Sequence, residues 1–242
     1  MHNVVSFDDM DDQSSARVVM IASDSAPLSG REQIFAAVEV LLGAVVVICH
    51  NVYHVVPNEV PILVIVLWVS LLIRRRPWSS VGLSRPLSWK LTAVVAVCGG
   101  ALLQLKDFVT EPLAHLIWHQ RENVSSVLGS VHHSPLQALQ SLGIIWTFAA
   151  FGEELAYRAL LLRRTADIFN GSRTGYALGI AVSSVLFGLG HFYKGPTGVF
   201  DSTVSGLILA AAYLVTRRNL WAPILAHGLS DTFAVVFSYF AG

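Results

Sequence analysis

Charge is what this 242-residue sequence has least of: Asp, Glu, Lys and Arg together make up 13% of it. An average soluble domain is about 25% charged, so there is too little here to cover a water-facing surface. That scarcity argues against a soluble globular enzyme, a coiled coil and a disordered tail protein. A basic excess is missing too. Lys+Arg 16 balances Asp+Glu 16, which leaves no surplus to track a phosphate backbone, and nucleic acid is not an expected partner. Cysteine is limited to Cys49 and Cys98, both inside apolar runs, where a free thiol behaves as a small buried hydrophobe rather than half of a disulfide. No ten-residue alternating strands occur, which removes a membrane β-barrel. The N-terminus lacks the ordered basic, apolar and small-residue regions of a secretory signal peptide.

What remains is apolar: 54% of the residues are hydrophobic. After a polar, acidic segment, residues 1–31, with Asp8, Asp9, Asp11 and Asp12, read as a disordered cytoplasmic tail, apolar stretches recur to the end. A helical span needs roughly 17–25 apolar residues to cross about 30 Å of hydrocarbon. Stretches 34–52, 55–73, 87–105, 136–162, 176–192, 199–215 and 220–240 qualify. The fold class expected is all-α, a polytopic bundle of about seven transmembrane helices over 32–242, because backbone in lipid must satisfy its own hydrogen bonds. Pro57, Asn58, Glu59 and Pro61 put the start of the second span in question. The connection 106–135 carries Phe108, Val109, Leu113, Leu116, Ile117 and Trp118, which suit either a short interfacial helix or a packed loop.

Arg74, Arg75, Arg76, Arg85, Lys90, Arg163, Arg164, Arg173, Arg217 and Arg218 fall in alternate loops, against Lys106, Arg121 and Lys194 in the others. The positive-inside rule then places the N-terminus in the cytoplasm and the C-terminus outside, in a multi-pass protein of the cell membrane.

Ionisable groups inside spans are expensive and mark function by default. Three clusters occur: Glu153, Glu154 and Arg158; Phe187 and His191; His227 and Asp231. Glu154 and Arg158 are i and i+4 and expected to pair. Glu153 lies about 100° round an α-helix from its neighbour, free to face a cavity. His227 and Asp231 also share a face. Each cluster alone fits plain helix glue, but spacings of 38 and 36 residues, a helix and its connection each time, point to one convergent site. Depth opposes this: counted from Tyr176 at the inner face, His191 falls near the outer end of its span. A shared site requires that span to start deeper, after an interfacial segment through 163–174.

These residues resemble the motifs E-E-x-x-x-R, F-x-x-x-H and H-x-x-x-N/D of the CPBP family of intramembrane proteases, also called the Abi or CAAX-protease family. The resemblance covers about 136–240. It implies an intramembrane endopeptidase of CAAX-protease-like or bacteriocin-processing and self-immunity type, acting on a peptide or protein substrate at the bilayer, membrane-associated or lipidated. It implies Glu153 as general base, His191 as its helper in holding water, and His227 with Asp231 at the oxyanion. Glu154 and Arg158 would fix the helix. No cofactor is implied; Zn²⁺ on the same Glu, His and Asp side chains is the alternative, though neither H-E-x-x-H nor the di-iron E-x-x-H is present. Two positions depart from the family pattern: Ala159 stands where Gly is common, and Asp231 where Asn is. An Asn amide donates to an oxyanion and an ionised Asp does not, so Asp231 is either held protonated or orients His227. A non-catalytic immunity or scaffold protein and a proton-coupled transporter are the competing classes. His50, His54, His115, His119, His132 and His133 are expected to be solvated interface residues rather than an external metal site.

Overall fold

The computed structural model describes residues 27–119 and 134–240. Among these residues every regular element is a helix. The first, α1 (Gly30–Asn51), begins where Ser29 and Glu32 make a reciprocal capping box, satisfying two donors that a helix start leaves orphaned. It therefore starts slightly before the tail boundary read from composition, and residues 1–26 of that tail lie outside the described residues. Helix α2 (Glu59–Ile73) is capped by Asn58, whose side chain accepts from the Val60 N–H. The polar residues that cloud this span's start are thus its cap and first turn, where proline is tolerated. Ser88 caps α3 (Trp89–Leu105), and Lys106 joins it to α4 (Asp107–Trp118). The apolar half of the connection 106–135 is therefore helical, while 120–133, with His132 and His133, lie outside the described residues.

The fourth span is not a plain α-helix. Following α5 (Pro135–Ile144), the backbone widens into π-helix over Ile145–Glu153 and Leu155–Leu162, then returns to α-helix in α6 (Arg163–Ile168). Such i→i+5 segments are rare and concentrate at functional sites; here they carry Glu153 and Arg158, with Glu154 at the junction between them. The 100° rotation expected of Glu153 relative to Glu154 assumed α geometry and does not transfer. After a turn come α7 (Arg173–Leu189), α8 (Gly195–Val215) and α9 (Trp221–Phe240).

Three helices among the described residues are long and apolar enough to cross a membrane: Gly30–Asn51, Trp89–Trp118 and Phe192–Val215, while Glu59–Ile73 and Arg173–Leu189 are apolar but shorter. In the remaining two candidate spans the polar motif residues interrupt the apolar run. Outward faces expose Leu41, Val45, Val94, Val97, Phe233 and Phe237, a distribution suited to lipid rather than water. Cys98 shares that exposure and Cys49 is half-buried; both thiols are free, so Cys98 corrects the expectation of burial. Inside, Leu63 and Leu67 of α2 meet Leu160, Leu161 and Tyr157, with Leu209, Tyr213 and Ile224 closing the core.

Lipid gives helices no hydrophobic reason to associate, so close packing and interhelical hydrogen bonds hold them together. At Gly206 a Cβ would come within 2.9 Å of the Ser184 Cα; its absence lets α8 close on α7. Across the bundle, Gln104 of α3 donates to Ser230 Oγ (2.8 Å), and Trp146 donates to Thr232 Oγ1 (3.2 Å). These two bonds flank Asp231 and fix the rotation of α9 there.

Candidate active site

The first motif is knitted by Glu154. Its Oε1 accepts from Arg158 Nη1 at 2.9 Å, the i,i+4 pair expected, and lies 3.3 Å from Nδ1 of His227. One carboxylate oxygen thereby joins motif one to motif three, a role beyond the helix glue read from sequence. Arg158, 1% exposed, also donates to the Gly206 carbonyl (3.1 Å), which ties the π-helical span to α8.

Phe187 is the centre around which the motifs meet. Its ring lies 4.7 Å under the Arg158 guanidinium, 5.1 Å from the ring of Tyr157, 5.0 Å from His191 and 5.9 Å from His227. Helical spacing marks Phe187 as a neighbour of His191; only the fold reveals that it touches all three clusters. Burial of this aromatic hub excludes water behind the histidines and strengthens every charge interaction nearby.

His191 lies just beyond the end of α7, before a short 3₁₀ turn (Phe192–Lys194). Its Nδ1 is 2.9 Å from the Phe187 carbonyl oxygen. A carbonyl only accepts, so Nδ1 carries the proton, and in the neutral ring Nε2 presents a lone pair. The depth objection is met by the arginine-rich stretch 163–168. Instead of an interfacial segment it continues the fourth span as α6, so the turn into α7 lies beyond the site and Phe187 returns level with Arg158.

His227 is buried, with Glu154 against Nδ1 and Oδ2 of Asp231 3.5 Å from Nε2. That second contact is long for a hydrogen bond, which leaves Nε2 open to another acceptor. Asp231 is a third exposed at its side chain and reaches the site's edge. Glu153 makes no hydrogen bond or ion pair among the described residues; its Oε2 is buried without a partner. It lies within electrostatic reach of His227, Asp231, Glu59 and Glu154, and His227 in turn of His191. All six candidate residues therefore belong to one locality.

The first half of the chain contributes a carboxylate that sequence reading missed. Glu59, 6% exposed, accepts from the Tyr157 hydroxyl (3.5 Å) and pairs with His50 Nε2 (3.2 Å). Its signal was a carboxylate inside an apolar span, masked by the prolines around it. His50, expected as a solvated interface residue, is held between Glu59 and the Val56 carbonyl (3.0 Å). Glu39 is likewise explained: its Oε2 lies 2.8 Å from Arg74 and 3.0 Å from Arg164. Two of the arginines counted as loop charges are thus buried ion-pair partners.

Among the described residues no three His, Cys, Asp or Glu side chains are grouped to hold a metal ion. His191 and His227 each commit Nδ1 within the protein and keep Nε2 open, and Glu154 is taken by Arg158.

The class the geometry defines is an all-helical protein with apolar outer faces and a largely buried cluster of carboxylates and histidines where its helices meet. Residues 135–233 match the family model described as Rce1-like, type II CAAX prenyl endopeptidase. Over this segment the chain is similar to that family, in agreement with the CPBP resemblance of its motifs. Comparison with curated proteins gives no match, and neither does comparison with solved structures.

Proposed function

We propose that this protein is an intramembrane endopeptidase that hydrolyses a peptide bond with a water activated by Glu153, without a metal or other cofactor. The observation that carries the reading is the meeting of the three motifs round Phe187 with Glu153 left unpaired beside them. In this reading Glu153 takes a proton from water while the lone pair on His191 Nε2 holds the second hydrogen. The water oxygen bonds to the scissile carbonyl carbon, whose oxygen becomes an oxyanion. His227 Nε2 donates to that oxyanion, and Asp231 orients and charges the imidazole. Collapse breaks the C–N bond, and the proton held by Glu153 passes to the leaving amine, which restores the carboxylate. Glu154 and Arg158 are positioning residues.

The matched family favours CAAX-type cleavage, near the C-terminus of a peptide or protein presented at the bilayer, over bacteriocin processing. Residues 32–242 form the membrane domain in this reading, with about seven spans, a cytoplasmic N-terminus and an outer C-terminus in the cell membrane. Peptides released from membranes bearing wild-type protein or Glu153→Gln, compared by mass spectrometry, test the function. A set of products present only with the wild type supports it; identical peptide sets at equal protein abundance reject it. Reporters fused after Gly242 and inserted near Arg75 test the orientation: external and cytoplasmic readouts respectively are expected, and the reverse pattern overturns it.

A further inference from the structure

A polar cavity lies apart from the motif residues. It opens between the turn after α2 and the turn joining α8 to α9, with a volume of about 280 Å³, just below the roughly 300–1,000 Å³ typical of small-ligand sites. Arg85, Arg163, Arg217 and Arg218 line it together with Ser79 and Ser80, and no acidic side chain does. Four arginines round one hollow leave it strongly positive, and an anion placed there relieves their mutual repulsion.

The protein neutralises this charge only in part. Arg163 pairs with Asp167 through Nε (3.1 Å) and donates to the Tyr176 hydroxyl (2.9 Å). Arg218 donates to the same hydroxyl at 2.6 Å and packs over the Tyr176 ring at 5.3 Å. Tyr176 supplies no charge, so Arg218 remains uncompensated. Arg85 and Arg217 are exposed and make no ion pair among the described residues. Within the Glu39 cluster, by contrast, every arginine meets a carboxylate.

The cavity is also built rather than incidental. Arg217 and Arg218 are consecutive residues in the left-handed region, with φ of 57° and 64°, a conformation that side chains with a Cβ adopt at a cost. The facing turn holds them there. Leu220 N–H donates to the Gly82 carbonyl (3.0 Å), and the Asn219 amide donates to the Ser84 carbonyl (2.9 Å). Gly82, itself at φ 96°, lies against the Arg218 carbonyl, where no side chain would fit. Two turns laced together thus fix the arginines around one space.

We propose that this cavity binds a phosphate-bearing anion, with the four guanidiniums as donors to its oxygens. Planar guanidinium forks match phosphate oxygens bidentately, and serine hydroxyls supply neutral donors. The cavity sits at the end of the bundle that carries the arginine-rich turns, where basic pockets between membrane helices take anionic headgroups. A lipid headgroup and a free phosphate compound share this chemistry. The inference stands on the cavity alone and does not depend on the peptidase reading.

The test uses the full chain in detergent and three probes: short-chain phosphatidylglycerol, short-chain phosphatidylcholine and inorganic phosphate, with affinity read by calorimetry. Saturable binding of phosphatidylglycerol is expected, weakened roughly tenfold or more in the double variant Arg85→Gln/Arg217→Gln, since hydrogen bonds to charged groups are the strong ones. Both residues are exposed and unpaired, so folding is not at stake. The variant Arg75→Gln/Arg76→Gln, which removes two exposed charges from the same connection outside the cavity, should bind almost as the wild type does. Inorganic phosphate binding as tightly as the lipid assigns a soluble phosphate compound; tighter lipid binding assigns a headgroup. Equal weakening by the two double variants, equal affinity for phosphatidylcholine, or no binding of either anion overturns the proposal.

Discussion

Two buried charge clusters sit in the same bundle and are built to opposite rules. Around Glu39 cations are in surplus: Oε2 meets both Arg74 and Arg164, and Asp167 meets Arg163 with one oxygen and Arg164 with the other. Around Glu154 cations are short. Arg158 and His227 share a single oxygen of Glu154, while Glu153 has neither. A cluster that only holds helices together pairs its carboxylates, because an unpaired buried charge is costly. Glu153 breaks that rule beside carboxylates that each keep an ionic partner, and this contrast is what singles it out as the candidate for moving a proton.

The comparison is broken most severely at Arg158. Arg158→Gln removes the cation from Glu154, the stacking on Phe187 and the bond to the Gly206 carbonyl, and should cost about 3–5 kcal/mol of stability. Loss of abundance or a lower unfolding midpoint in membranes is the measurement. Next comes Asp231→Ala, which should lower turnover per folded molecule by roughly 10² at nearly constant abundance. Glu39→Gln keeps the shape of the paired cluster but leaves two arginines short of a charge. It should reduce stability by about 1–3 kcal/mol while the folded fraction keeps its turnover; a turnover defect there would erase the distinction between the clusters. Smallest is Asp231→Asn, expected to preserve much activity because the amide keeps the shape and a donor. A zinc site predicts the opposite, since Asn replaces a carboxylate ligand poorly, and turnover would then stop reversibly on chelation.

Residues within one or two turns of each other were the legible part of the site. The pair of Glu154 with Arg158 and the contact of His227 with Asp231 follow from i,i+4 spacing, and both are present. Contacts between distant segments were not legible. No spacing rule joins Glu59 to Tyr157, or Glu154 to His227, because both depend on how helices cross. The π-helical widening of the fourth span was equally hidden: apolar periodicity does not distinguish it from α-helix over so few turns. The sequence argument therefore separated the two glutamates correctly by partner, but on a regular α-helical angle that a backbone interrupted by π-helix does not keep. Loop arginines misled in a different way. Counted as solvated charges, Arg74 and Arg164 are instead the partners of the one carboxylate, Glu39, for which composition offered no explanation.

The most direct test of the division between the two glutamates is turnover per folded molecule for Glu153→Gln and Glu154→Gln side by side, with abundance measured in the same membranes. The account predicts that Glu153→Gln is present at wild-type abundance with turnover lowered by about 10² to 10⁴, the range for losing a general base. Glu154→Gln should be depleted or less stable, with its surviving folded molecules still turning over. Full turnover in Glu153→Gln, or the two phenotypes exchanged, would contradict it.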